Sequence, residues 1–390
     1  MRVIARGTLL ALIFLALTLL QSTGQAQALQ KTVRVKLTTL NFPLQISGGG
    51  ISIRGIKKTD IKNISIPRVD ESFRVDNHKV GGKNIWFINK GDSFPLKRLS
   101  EKYIEIDSSS SQVEISGYKV STPVLITQAG EIIAAMPLNN YLEGVLAGEM
   151  PASWPIEALK AQAVAARSYT LFQINQRKNN IFQLEGSVLD QVYSSSISPD
   201  QLSVIKQALA ETEGMVLTHQ NKIIKAYYHS DCGGRTEDPE RIWGGARSNI
   251  NSVEDRYCAF NPHSQWIFEI SLEEMRKKIE SPIKSIRIVN TTPSGRAALI
   301  AFNVSDDKNI LISGNELRKI LGFQKLRSTL FSVRLDRDRI TFAGRGFGHG
   351  SGLCQYGARY MAQKGAKVQE ILKHYYPTAR LLEVSHVANL

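Results

Sequence analysis

Residues 137–171 read PLNNYLEGVLAGEMPASWPIEALKAQAVAARSYTL, and this stretch decides the fold. Leu138, Tyr141, Leu142, Val145, Leu146 and Glu149 fall at i, i+3, i+4, i+7, i+8 and i+11, one face of an amphipathic helix. Asn140 followed by Glu143 fits a capping box with Asn in the cap position. Met150-Pro151 ends the helix, because proline disfavours helical geometry in the residue before it. Ser153 and Pro155 start a second helix as cap and early helical residue. Its first turns hold Ala158, Ala161, Ala163, Ala165 and Ala166, and so little side-chain bulk lets another element pack close.

Upstream, residues 32–136 are β-rich. The runs TVRVKL, GISIRGI, NIWFIN, YIEID, QVEIS, PVLIT and EIIAAM are separated by Gly, Ser, Asn and Asp clusters. Downstream, Pro199 to Glu213 reads as a helix with Gly214 as its stop, and GMVLTH and KIIKAYYH as a hairpin around Gln220-Asn221. Residues 264–343 mix strands with helices near 272–280 and 314–323, as an inserted α/β lobe would. Residues 344–385 are glycine-rich and then helical up to Pro377. The expected class is α+β: a β-rich N-terminal domain at 32–136, the first part of a mixed helix/strand core at 137–263, the lobe at 264–343, and the closing segment of the core at 344–385.

The chain has 390 residues, 42% hydrophobic and 22% charged, which excludes a disordered chain and suffices for a sizeable core. Three cysteines are too few for a disulfide scaffold. Arg2 and Arg6 precede the apolar run Thr8 to Leu20, and Ala26-Gln27-Ala28 follows as a small-x-small site. Residues 1–28 therefore read as a signal peptide cut after Ala28, which sends the chain to the periplasm, or to the cell wall and exterior, with an uncleaved N-terminal anchor as the alternative. The remainder holds no run long and apolar enough to span a membrane once the leader is cut. A formal charge of +14 favours anionic surfaces such as envelope polymers. Nucleic acid is the least favoured partner, since the chain is exported and shows no recognition motif.

Glu149 stands out chemically. A carboxylate on an apolar face is costly unless paired or protonated. Burial raises its pKa and makes it a usable general acid. The alternative is a helix-end Glu that turns to solvent or caps the next helix. Glycines at 344, 346, 348, 350 and 352 alternate strictly, so an extended segment carries all five on one face. That bare backbone suits close approach by a glycan, or close packing on the alanine-rich helix. His229, Cys232, Cys258 and His263 have the spacing H-x2-C and C-x4-H, a permissible structural zinc set. A Cys232–Cys258 disulfide is the alternative, and His229 would also suit a sugar groove. Cys354 reads as a small buried residue.

YLEGVLAGEMPASWPIEALKAQAVAARSYTL resembles the signature of the SpoIID/LytB family of bacterial cell-wall proteins. So do AYYHSDCGGRTE followed by RIWGG, and GRGFGHGSGLCQYGARYMAQKG followed by EILKHYYP; together they cover most of 137–377 in family order. The resemblance implies a peptidoglycan lytic transglycosylase whose acid is the Glu of the EMP motif, here Glu149. Such an enzyme cuts between N-acetylmuramic acid and N-acetylglucosamine and leaves 1,6-anhydromuramyl ends. Other members are named as modifiers or enhancers of cell-wall amidases, so a non-catalytic wall-binding module with an amidase partner is the alternative. The family includes zinc-free members, and the resemblance leaves the zinc reading open. Substrate contacts are expected from Arg167, Tyr228, His349, Gln355 and Tyr356, with a solvated Arg167 and a structural His349 as alternatives. Glu149 is expected at the floor of an open glycan cleft walled by 344–352 and by Tyr228 and His229.

Overall fold

Apolar and polar side chains alternate along the first strands, and the burial follows: Tyr103–Ser108 and Gln112–Ile115 each bury every second residue. The computed structural model describes residues 31–49, 51–56, 73–80, 83–90, 97–99, 102–245, 248–305 and 308–387. The signal peptide expected at 1–28 lies outside the described residues. The chain divides into two units, one of residues 1–151 and 170–206 with residue 390, the other of 152–169 and 207–389.

The first unit carries two six-stranded sheets. One runs Leu184–Glu185, Thr32–Thr39, Glu131–Pro137, Val124–Thr127, Tyr103–Ser108, Ile51–Ile56 in spatial order. The other runs Lys97–Leu99, Lys83–Lys90, Phe73–Val80, Leu44–Ser47, Gln112–Ile115, Tyr118–Ser121. Leu44, Ile46, Val75 and Ile115 of the second sheet share one core with Ile53, Ile104, Ile106 and Ile126 of the first. The two inner faces therefore bury each other, as in a sandwich.

Helix α1 (Leu138–Glu149) leaves directly from the strand that ends at Pro137. It starts two residues before Asn140, with Pro137 in the cap position and no side-chain cap, so the expected capping box is not formed. Proline supplies no N–H there, and Leu138 donates its own to Lys31 O at 2.9 Å. Leu138, Tyr141, Leu142, Val145 and Leu146 are buried as the periodicity requires. Met150 closes the helix in an extended conformation. Helix α2 (Ile156–Gln176) starts just past Pro155 and is buried nearly all round between Ala158 and Tyr169. It gives its first turns to the second unit and its last turns to the first.

In the second unit the hairpin lies where expected: Met215–His219 pairs Lys222–Ile223 across Gln220 and Asn221, both with positive φ. The preceding helix α3 (Pro199–Ala210) belongs to the first unit up to Lys206 and to the second from Gln207, and the short α4 is Pro239–Trp243. A lobe follows, with the sheets Gln265–Ser271/Arg339–Arg345/Phe331–Asp336 and Ser285–Thr291/Ala297–Ser305/Lys308–Ser313. Helices α5 (Leu272–Ile279) and α6 (Gly314–Leu321) are capped by Ser271 and Ser313, whose hydroxyls accept from Glu274 N and Glu316 N. Phe302, Phe342, Ile300, Leu317 and Met275 centre its own core. The chain returns through Leu353–Cys354, which pairs in parallel with Tyr228–His229, and ends with α7 (Gln355–Gln363) and α8 (Val368–Tyr375). The molecule is thus a mixed α+β protein.

Candidate functional site

Glu149 is the last residue of α1 and lies at the end of its apolar face. It is half-buried rather than enclosed. Its Oε1 accepts the backbone N–H of Val192 at 2.6 Å, so the carboxylate is held by a segment well along the chain. Two glycines of α1 let that segment come close. A Cβ on Gly148 would stand 2.7 Å from Val192 O, and one on Gly144 would enter the Tyr193 ring. Ser194 N donates to Gly144 O at 3.0 Å, and Tyr193 stacks on Tyr141 at 5.8 Å. Gln191, buried, donates to Tyr141 Oη at 3.1 Å and Thr170 Oγ1 at 2.9 Å. Neither Tyr193 nor Gln191 was foreseen; nothing local in a loop announces a partner in a helix far upstream. Glu143 is half-buried on the same helix; burial raises its pKa, while Lys206 opposes the shift. Glu157, in the second unit, is committed to Lys160 at 2.8 Å and to the N–H of Val368 at 2.8 Å.

The other expected site residues all belong to the second unit. Tyr228 and His229 are buried, and His349 lies 5.5 Å from His229 between ring centroids. His229 Nδ1 donates to Ser351 O at 3.0 Å, which leaves its buried Nε2 as an acceptor without a partner among the described residues. Burial, the neighbouring His349 and Arg296 hold His229 well below the ordinary imidazole range. His349 Nδ1 accepts the Ser351 N–H at 3.1 Å, and desolvation, with Arg318 and Arg296, pulls its pKa down to about 3. Both imidazoles are therefore neutral at ordinary pH. Beside them Trp243 stacks on Tyr227 at 4.6 Å and lies 5.0 Å from His349, yet keeps 45% of its surface exposed. Lys225 Nζ sits 4.9 Å over the Tyr227 ring. Trp243 was missed in the sequence, although RIWGG carries it. Gln355 is buried and donates to Gln162 Oε1 at 3.4 Å. Tyr356 is half-buried, edge-on to Trp154 at 5.0 Å, with the Arg359 guanidinium 4.9 Å over Trp154.

Two expectations are corrected. Arg167, expected as a substrate contact or a solvated arginine, is 1% exposed. Its Nη1 donates to Thr212 O at 2.8 Å and Met215 O at 3.1 Å, carbonyls just past the end of α3, and burial pulls its pKa down to about 10. It finishes a helix rather than binding a ligand. The glycines 344–352 do not form an extended face. Those at 346, 348, 350 and 352 have positive φ, and the space a Cβ would take is already filled by protein. At Gly348 it holds His229 Cβ at 2.7 Å, and at Gly350 the Arg296 guanidinium at 2.5 Å. The glycines thus serve packing, against segment 227–233 and Arg296.

The thiols converge differently from the spacing. Cys232 Sγ and Cys258 Sγ are 3.3 Å apart, and the third partner is Cys354, whose sulfur accepts the Cys232 N–H at 3.3 Å. A carboxylate oxygen of Asp231 completes a group of four ligand atoms within 4.8 Å of one another. His229 and His263 are not in that group. The His229 ring is turned to Ser351, and His263 donates its backbone N–H to Asn261 Oδ1.

Residues 127–219 match the family described as Stage II sporulation protein, SpoIID. A Stage II sporulation protein D of Bacillus subtilis is 32% identical over 288 residues, covering 69% of this chain and 81% of that protein. The chain belongs to the SpoIID family. A Stage II sporulation protein D of Bacillus amyloliquefaciens is 34% identical over 66% of this chain and 77% of its own length. A Bacillus subtilis protein named amidase enhancer is 28% identical over 62% of this chain and 40% of its own length. Residues 262–352, which include the lobe, match a domain of unknown function. The SpoIID match covers α1, α2 and α3 and therefore Glu149 with its Val192 partner.

Two stability measurements check the reassigned residues of this SpoIID protein. Arg167→Leu leaves buried carbonyls without donors and is expected to cost roughly 2–4 kcal/mol in denaturant unfolding. Gly348→Val combines a strained φ with an occupied site and is expected to cost roughly 2–4 kcal/mol as well. A neutral effect at either position would return that residue to the ligand-binding surface.

Proposed function

We propose that the protein is a peptidoglycan lytic transglycosylase with Glu149 as its single acid and base. The observation that carries the reading is the placement of that carboxylate. It stands at the half-buried end of an apolar helix face, and one oxygen is oriented by the Val192 N–H. The family and the sporulation-protein relatives support a role at the cell wall. In this reaction the Glu149 carboxyl gives its proton to the glycosidic oxygen as the bond to C1 of N-acetylmuramic acid breaks. The O6 hydroxyl of the same sugar closes onto C1, and the Glu149 carboxylate takes its proton. Because the nucleophile is part of the substrate, one carboxyl suffices where hydrolases employ two. A strand cut within its length needs access from both ends, so the reading requires Glu149 to lie in an open cleft.

Trp243 on Tyr227, beside the two neutral imidazoles, supplies an aromatic face of the kind on which sugar rings lie. This surface gives the second unit a glycan-holding role. The reading also requires export, which the leader at 1–28 would direct. The amidase-enhancer relative supports a second reading, in which the same surfaces bind wall glycan and stimulate an amidase without cutting.

Digestion of purified glycan strands, followed by mass spectrometry, separates the readings. The wild-type protein should release 1,6-anhydromuramyl ends, and Glu149→Gln should lower that release roughly a hundred- to ten-thousand-fold with the fold intact. Reducing muramic acid ends would mean hydrolysis instead. Absence of product, with faster amidase turnover when the protein is added, would establish the enhancer reading. Trp243→Ala should weaken pull-down on insoluble peptidoglycan roughly tenfold, about 1.4 kcal/mol, while thermal stability stays near wild type. Unchanged binding would remove Trp243 from the glycan surface.

A further inference from the structure

We propose that the second unit holds one structural zinc ion, or a similar thiophilic divalent ion, on Cys232, Cys258, Cys354 and Asp231. The inference is independent of the transglycosylase reading. Four ligand atoms, three sulfurs and one carboxylate oxygen, already lie within 4.8 Å of one another, and all four residues are buried. Thiolates at about 2.3 Å from a tetrahedral zinc stand roughly 3.8 Å apart, the scale of this cluster. The Cys232 and Cys258 sulfurs, 3.3 Å apart, need only small movements. All three cysteines are free thiols. A Cys232–Cys258 bond would account for two of the four groups and leave the convergence of Cys354 and Asp231 without a reason.

The surroundings fit an anionic centre. The Cys232 N–H donates to Cys354 Sγ at 3.3 Å, the type of bond that steadies a thiolate. Asp231 is oriented by the Gly233 N–H at 2.7 Å and by the Asn261 amide. Such bonds to ligating carboxylates fix their direction. A second carboxylate, Asp255, meets Cys232 Sγ at 3.2 Å and is held by the N–H groups of Tyr257 and Cys258 and by Tyr375 Oη at 2.9 Å. Arg296 is 1% exposed and donates to Cys232 O at 2.6 Å, while its Nε and Nη1 find no acceptor among the described residues. Three thiolates and a carboxylate around a divalent ion carry a net charge of −2, and a buried guanidinium beside them offsets part of it. Binding releases the thiol protons to solvent, so no oxidant is needed.

The position gives the ion its task. Cys258 lies just before the lobe matched at 262–352, and Cys354 lies just after it. Cys232 and Asp231 come from the segment beside which the returning strand pairs. One ion therefore ties the outgoing and incoming chains of the lobe to the strand they leave.

The test uses the full chain, purified without chelator, and zinc as the probe. Elemental analysis should find about one zinc per chain. Cobalt(II) exchanged into the site should show intense thiolate-to-metal absorption in the near ultraviolet. Cys354→Ser should weaken zinc binding by more than roughly a hundredfold, beyond the loss expected of a merely supporting group. His229→Ala and His263→Ala should keep the metal. If Cys354→Ser does not fold, the wild-type thiol count decides: three thiols that react only after a chelator is added support the site. A metal-free chain with Cys232 bonded to Cys258 overturns it. So does a zinc that survives Cys354→Ser and is lost in His263→Ala, which would restore the ligand set expected from spacing.

Discussion

Two residue pairs, Tyr228 with Leu353 and His229 with Cys354, form the short parallel pairing on which the second unit depends. A parallel pair needs a long crossover, and here the crossover contains a whole lobe with its own core. The pairing sets the distance at which segment 344–352 must run past segment 227–233, and that distance leaves no room for a Cβ at Gly346, Gly348 and Gly352. The glycines, the burial of His229, the position of His349 and the meeting of the thiols all follow from this one close approach.

Local features were legible in the sequence. The apolar stripe of α1, its end at Met150, the restart after Pro155, the Gln220-Asn221 hairpin and the helices of the lobe are each fixed by neighbours within a few residues. Features set by distant partners were not. Asn140 has the right residue type for a cap, but the helix takes its start from the strand before it. Alternating glycines look like a strand face in one dimension; only the fold shows that those at 346, 348, 350 and 352 leave the extended conformation with positive φ. Spacing pairs Cys232 and Cys258 with His229 and His263, whereas the fold brings Cys354 from far along the chain. Glu149 was found by periodicity, but its hold on Val192 depends on a loop whose course no local pattern gives.

The basic composition also has an internal side. Arg167, Arg296 and Arg318 are all buried, and each donates to backbone carbonyls: those after α3, that of Cys232, and those of Leu326 and Arg327. A guanidinium with several donors can close a group of carbonyls that no helix or sheet satisfies. These charges do not contribute to an electropositive surface, so the formal +14 overstates what a wall polymer would meet. Arg296 and Arg318 also lower the pKa of the neighbouring imidazoles, and they help keep the site around His229 and His349 uncharged.

The two ends of the lobe lie side by side. Gln265 pairs with Arg345, and Gly346 N donates to Ser264 O at 2.8 Å, so the chain departs and comes back one strand width apart. That is the geometry of an insertion, and the lobe also reaches back into its host, where Arg296 donates to Cys232 O and Ser294 to Glu237. A turn of a few residues would span such a gap, yet it would leave the space beside Gly350 and the carbonyl of Cys232 without the Arg296 guanidinium that the lobe supplies. The lobe is therefore keyed to its host: its outer strands and helices can change in sequence and size, but Arg296 and Arg318, which reach the core, have to stay.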